Sequence, residues 1–83
     1  SADKRSVYLS TKGKILYYDF KYQDDDYFVF GSETSGLPVD LIQTNFSKCL
    51  TIPMPGKVRS INLSNAVAVV LYEAYRQLTG YDY

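Results

Sequence analysis

The sequence predicts an α/β domain built on a mostly parallel sheet flanked by helices. Three observations point there. An unbroken apolar run at residues 27–30 leads straight into a glycine-rich loop. A second run at 50–52 is stopped by Pro53 and Pro55. A long helix with an apolar stripe starts at residue 63. Short continuous apolar strands alternating with helices are the pattern of a sheet covered on both faces.

The elements follow in order. Residues 7–9 read as a short strand, followed by the turn-prone Thr11-Lys12-Gly13. Residues 15–22 are rich in β-branched and aromatic side chains but irregular, which suggests extended chain with at most a short strand. Asp24-Asp25-Asp26 reads as a solvated turn; no flanking ligand pattern makes it a metal site. Tyr27-Phe28-Val29-Phe30 reads as a strand buried on both faces. Pro38 suits the first turn of a short helix whose apolar side is Leu41, Ile42 and Phe46. Residues 50–52 form the next strand, and 53–61 a long loop. In the last helix, Leu63, Ala66, Val67, Val70, Leu71, Ala74 and Leu78 follow the helical repeat. Asn62 is placed to cap its start and Gly80 to end it. Ala68, Val69, Tyr72 and Tyr75 add a second apolar face, which calls for a partner; a second copy of the chain is the simplest.

Composition bounds the function. The 83 residues allow one domain, and 46% hydrophobic with 16% aromatic content is too apolar for a disordered chain. Nine basic residues offset nine acidic ones, so a nucleic-acid substrate would need much of its phosphate contact from elsewhere. The absence of histidine excludes imidazole metal sites, and no metal is expected. The lone Cys49 precludes an internal disulfide and reads as a buried thiol. No stretch approaches the ~20 apolar residues of a membrane span, and the amino end has no signal-peptide pattern. The expected setting is soluble, reducing and cytoplasmic, with no membrane partner.

Two segments could carry chemistry. The loop Gly31-Ser32-Glu33-Thr34-Ser35-Gly36-Leu37-Pro38 lies between a strand and a helix, where α/β proteins bind nucleotides. Gly31 and Gly36 have phosphate-loop spacing, but Leu37 and Pro38 stand where lysine and a hydroxyl residue are needed. The dinucleotide fingerprint fails on spacing. A nucleoside cofactor without phosphates is left open, and so is a plain strand-to-helix turn. The second segment runs from Ile52-Pro53-Met54 to Asn65. Backbone groups at such strand and helix ends can bond an adenine edge, although Ser60, Ser64 and Asn65 taken alone are accounted for by capping.

Together, Gly31 to Pro38, Ile52-Pro53-Met54 and Arg59-Ser60-Ile61-Asn62-Leu63-Ser64-Asn65-Ala66 resemble, in order and spacing, two sequence motifs of the SPOUT class, the trefoil-knotted RNA methyltransferases. The match extends through Val69 to Ala74 and Arg76-Gln77-Leu78. It is closest to the tRNA 2′-O-methyltransferases of the wobble cytidine or uridine; Thr11-Lys12-Gly13 and Tyr22-Gln23 also fit that group.

The resemblance implies that residues 1–83 are the carboxyl-terminal, cofactor-binding half of one such domain, part of a deep trefoil knot. It implies S-adenosylmethionine as cofactor, tRNA as substrate, and a homodimer packed through the carboxyl-terminal helix. Carried over by position, the pocket comprises Leu9, Ser10, Thr11, Gly31, Glu33, Ile52, Pro53, Met54, Ser60, Ile61 and Ser64. Backbone groups of Gly31, Ile52 and Ile61 would contact adenine and ribose, and Ser64 and Asn65 would position the substrate near the methyl group. Glu33 would either line the pocket or organise its loop. The family's catalytic arginine lies in a motif with no counterpart here, so the chain alone is expected to be inactive. Ser32, Ser35 and Ile61 depart from residues common in the family (proline, arginine and methionine), and the loss of arginine at 35 weakens an RNA-contact role for that loop. The resemblance leaves room for an enzyme acting on rRNA or another tRNA position. It also leaves room for a non-catalytic RNA- or cofactor-binding knot and for a module that serves assembly only.

Overall fold

The computed structural model describes residues 5–31, 36–53 and 63–80. Their elements are β1 (Ser6–Leu9), β2 (Ile15–Leu16), β3 (Tyr27–Phe30), α1 (Val39–Thr44), a 3-10 turn (Phe46–Lys48), β4 (Cys49–Thr51) and α2 (Leu63–Thr79). The four strands form one sheet in the order β2-β4-β1-β3, and every pairing is parallel. Parallel neighbours cannot be joined by tight hairpins and need crossover connections.

β1 sits inside the sheet. It pairs with β3 from Ser6↔Tyr27 to Leu9↔Phe30 and with β4 at Tyr8↔Cys49 and Leu9↔Leu50. The core gathers around it: Val7, Leu50 and Val70 are fully buried, joined by Leu9, Tyr22 and Ala74. The buried Cys49 thiol is pushed above its ordinary value by desolvation, as a structural thiol should be.

Three expectations need correction. The strand at 27–30 is not buried on both faces. It forms the sheet's edge, Tyr27 is 55% exposed and the other three residues are half-buried. In the short helix only Ile42 is buried; Phe46 lies beyond it in the 3-10 turn, exposed. The apolar stripe on α2 is narrower than its sequence suggests. Val70 and Ala74 face the core, while Leu71 and Leu78 of the same repeat are exposed, alongside Tyr72 and Tyr75 of the second apolar face. The helix ends at Gly80, whose φ of 71° and N–H bond to Arg76 O at 2.9 Å make a left-handed cap.

Nor is the aspartate run wholly solvated. Asp24 and Asp25 are exposed, but the Asp26 side chain is 2% exposed and accepts a forked pair of bonds from Arg5, Nε at 2.9 Å and Nη2 at 2.7 Å. It also accepts the Gln23 N–H at 2.8 Å. Arg5 donates to Lys21 O at 3.1 Å and stacks over Phe20. Planar guanidinium geometry matches both the carboxylate and the ring. Burial pushes the Asp26 carboxyl up, but the bonds from Arg5 and the Gln23 amide outweigh it, so the group lies below its ordinary value.

Leu50→Ala should cost about 2–5 kcal/mol by urea denaturation, against under about 0.5 kcal/mol for Val39→Ala on the exposed helix face. The Asp26 carboxyl titrates lower in the folded chain than in the unfolded one. Its stabilisation is therefore present above the unfolded value near pH ~4 and is lost as pH falls through the lower folded value. Thermal melts across pH 2–6 should show that acid loss reduced in Asp26→Asn.

Candidate functional site

In an all-parallel sheet the strands end on the same edge. The register places Leu9 beside Phe30 and Leu50, and Leu16 beside Thr51. The residues that follow (Ser10 and Thr11, Tyr17, Gly31, Ile52 and Pro53) therefore converge at one carboxyl edge. That edge is where open α/β sheets bind ligands.

The loop after β1 is built tightly. Ser10 N–H continues the ladder to Leu50 O at 2.9 Å, Ser10 O accepts Gly13 N–H at 3.1 Å, and Ser10 Oγ accepts Lys12 N–H at 3.1 Å. Ser10 thus shapes the turn and leaves Thr11 and Lys12 exposed on it. Gly13 lies buried on the Cys49–Leu50 peptide; a Cβ there would stand 2.7 Å from Cys49 O. The sequence signal for this contact was the glycine itself, which allows the backbone to come so close.

Gly31 forms a neck. A Cβ on it would run into the peptide joining Gly36 to Leu37, so the two ends of the glycine loop touch through bare backbone. Gly36 has φ +68° with open space where a side chain would go.

Other sequence-picked residues are distributed as follows. Leu9 is buried in the core cluster, and its backbone ends β1 at the edge. Ile52 is half-buried and packs against the core cluster, while Pro53 is exposed. Ser64 and Asn65 are exposed in the first turn of α2. Glu33, Met54, Ser60 and Ile61 lie outside the described residues, as does the capping residue Asn62. Among the described residues no group of three or more acidic or cysteine side chains is placed to hold a metal.

Sequence reading missed a polar cluster on the buried face of α2. Glu73 is 5% exposed and accepts Arg76 through Nε at 3.1 Å and Nη2 at 2.7 Å. Gln77 Nε2 adds a third bond to Glu73 at 2.8 Å. The Arg76 bonds, more than the opposing burial, hold the Glu73 carboxyl below its ordinary value. The readable signal was two polar residues, four apart, inside an otherwise apolar stripe.

Comparison with known proteins agrees with this layout. Residues 2–72 match the SpoU rRNA Methylase family. The chain belongs to that family. It is 48% identical over 76 residues to the tRNA (cytidine(34)-2′-O)-methyltransferase of Escherichia coli (strain K12), covering 90% of this chain and 48% of that protein. It superposes with TM-score 0.85 and 45% identity on a solved structure described as structural insights into the 2-OH methylation of C/U34 on tRNA, covering 96% of this chain and 51% of that one. It also superposes on the SpoU methyltransferase AviRb from Streptomyces viridochromogenes in complex with the cofactor AdoMet, with TM-score 0.79, 30% identity, and 95% and 31% coverage. The chain spans about half the length of the tRNA methyltransferase relative. In this SpoU-family chain the α/β class and the parallel strands read from the sequence hold.

The two glycines make opposite demands. Gly31→Ala should unfold or strongly distort the loop neck, because backbone must move. Gly36→Ala should cost only about 1–2 kcal/mol, from its positive φ. Denaturant melts of both variants would check the order; equal costs would contradict the neck.

Proposed function

We propose that this chain is the carboxyl-terminal, cofactor-binding half of an S-adenosylmethionine-dependent tRNA 2′-O-methyltransferase acting on the wobble nucleotide, and that it forms part of a deep trefoil knot. The observation that carries this reading is the convergence of Ser10, Thr11, Gly31, Ile52 and Pro53 on one parallel-sheet edge. The tRNA (cytidine(34)-2′-O)-methyltransferase name of the 48% identical relative supports the substrate, and the AdoMet complex of a structural neighbour supports the cofactor.

The residues present fit a nucleoside cofactor. Gly31 and the half-buried, apolar Ile52 both follow strands that end at this edge, on either side of β1. Few polar groups on a largely apolar wall suit an adenine ring. Ser64 and Asn65, exposed at the start of α2, are the residues we assign to hold the substrate ribose. The cofactor supplies a methyl group on a sulfonium; the protein's share is alignment and removal of the hydroxyl proton. Arg5 is unsuited to that last task, since its guanidinium is committed to Asp26, Lys21 O and Phe20. The main catalytic arginine is assigned to a part of the parent protein outside these residues. The edge position of β3 leaves room for a further parallel strand from that part.

The outward stripe of α2, with Leu71 at 47% and Leu78 at 46% exposure, supports a homodimer through this helix. No helix among the described residues is long and apolar enough to cross a membrane, and a tRNA substrate accords with the cytoplasm.

Two measurements test the proposal. Calorimetric titration with S-adenosylhomocysteine, on chain of verified mass, should show saturable binding at one site per chain; no saturable heat would contradict the cofactor pocket. Sedimentation should show a dimer converted to monomer by Leu71→Glu with Leu78→Glu. A wild-type monomer would remove the assembly claim while leaving the pocket standing.

A further inference from the structure

Gln77 stands 55 residues from Tyr22 in sequence, yet its side-chain amide is locked to that segment. Oε1 accepts Tyr22 N–H at 3.0 Å, and Nε2 donates to Phe20 O at 2.9 Å and to Glu73 Oε2 at 2.8 Å. Only one orientation of the amide satisfies all three, because the backbone N–H demands the oxygen and the two acceptors demand the nitrogen. Glu73 is in turn held by Arg76. The amide therefore behaves like a rung of sheet backbone, supplied by a helix.

The contacts continue toward the carboxyl edge. The Tyr22 ring is buried, and its hydroxyl donates to Tyr17 O at 2.6 Å. Desolvation raises that phenol well above its ordinary value, so it stays a donor at any working pH. Tyr17 N–H donates to Thr51 O at 2.9 Å, at the last residue of β4. Ile52 follows directly and packs on the cluster that includes Val70 and Ala74 of α2. Residues 17–22 thus join the carboxyl-terminal part of α2 to the end of β4 by a continuous path of hydrogen bonds.

We propose that Gln77 is a positioning residue for the cofactor pocket: through residues 17–22 it holds the Thr51–Ile52 end of β4 in register with the helix that presents Ser64 and Asn65. The proposal rests on the reading of the carboxyl edge as the cofactor site. The core contacts of Val70 and Ala74 fix how deeply α2 lies on the sheet. Smooth apolar contact resists sliding along the helix axis weakly, whereas a directional amide bonded on both sides resists it strongly. Gln77 supplies that restraint.

The test uses Gln77→Met, which keeps length and helix propensity and removes only the amide. Hydrogen exchange is read at single amides together with affinity for S-adenosylhomocysteine. Tyr22 N–H should lose protection directly. Tyr17 N–H, which Gln77 does not touch, should also exchange roughly tenfold faster, while Val70 N–H inside α2 changes less than about twofold. Affinity for S-adenosylhomocysteine should fall roughly fivefold. Tyr22→Phe cuts the next link and should speed exchange at Tyr17 while Tyr22 N–H keeps its protection. Unchanged exchange at Tyr17 in both variants would overturn the path. Equal loss at Tyr17 and Val70 would reduce Gln77 to a general stabiliser and overturn positioning. Tight wild-type binding that Gln77→Met leaves intact would overturn the pocket role of Gln77 alone. A wild-type chain that does not bind would instead overturn the reading of the edge, and the pocket role with it.

Discussion

The pairing of β1 with β4 is the constraint on which the rest of this structure depends. It joins segments far apart in sequence, Tyr8 with Cys49 and Leu9 with Leu50, in parallel. Parallel pairing forces the connection between them to cross a face of the sheet, and it leaves all strand ends on one side. It also sets the Cys49–Leu50 peptide beneath Gly13, so the loop after β1 is shaped by a strand that arrives much later. Leu50 is fully buried within the same pairing. In a domain this small the core is thin, and the pairing and the packing stand or fall together.

What the sequence made legible was whatever depends on local periodicity and special backbone. The apolar run at Tyr27–Phe30 is a strand, the helical stripe from Leu63 is α2, and Gly80 ends it. Residues 15–22 were readable only as irregular, because β2 contributes just Ile15 and Leu16 and owes its existence to β4. Burial was less legible than type. A run such as Tyr-Phe-Val-Phe looks the same in the middle of a sheet as at its edge, since neighbours, and not composition, decide which. On α2, Leu71 and Leu78 share the repeat with Val70 and Ala74, yet the sheet covers only one side of the helix.

The site shows a similar division. Glycines at 13 and 31 could be singled out because only they permit such close backbone contact, and the structure gives each a steric reason. Leu9 shows both sides of this: the register brings its backbone to the edge while its side chain is buried in the core. The polar ties made by Arg5 with Asp26 and by Gln77 with Phe20 and Tyr22 join residues distant in sequence. Their partners are set by the fold, so no local pattern names them. Both ties hold the same stretch, residues 20–26, one from the start of β1 and the other from the end of α2. An irregular segment is thereby made as determinate as a strand.

The proposed nucleoside-cofactor pocket lies at the carboxyl edge of this sheet. The most direct measurement is to map amide chemical shifts as S-adenosylhomocysteine is added to the isotopically labelled chain. A cofactor pocket at that edge should give saturable shifts centred on Ser10–Lys12, Gly31 and Ile52, with little change at Ser6 and Tyr27 on the opposite edge. Shifts confined to the opposite edge, or to the exposed stripe of α2, would contradict it.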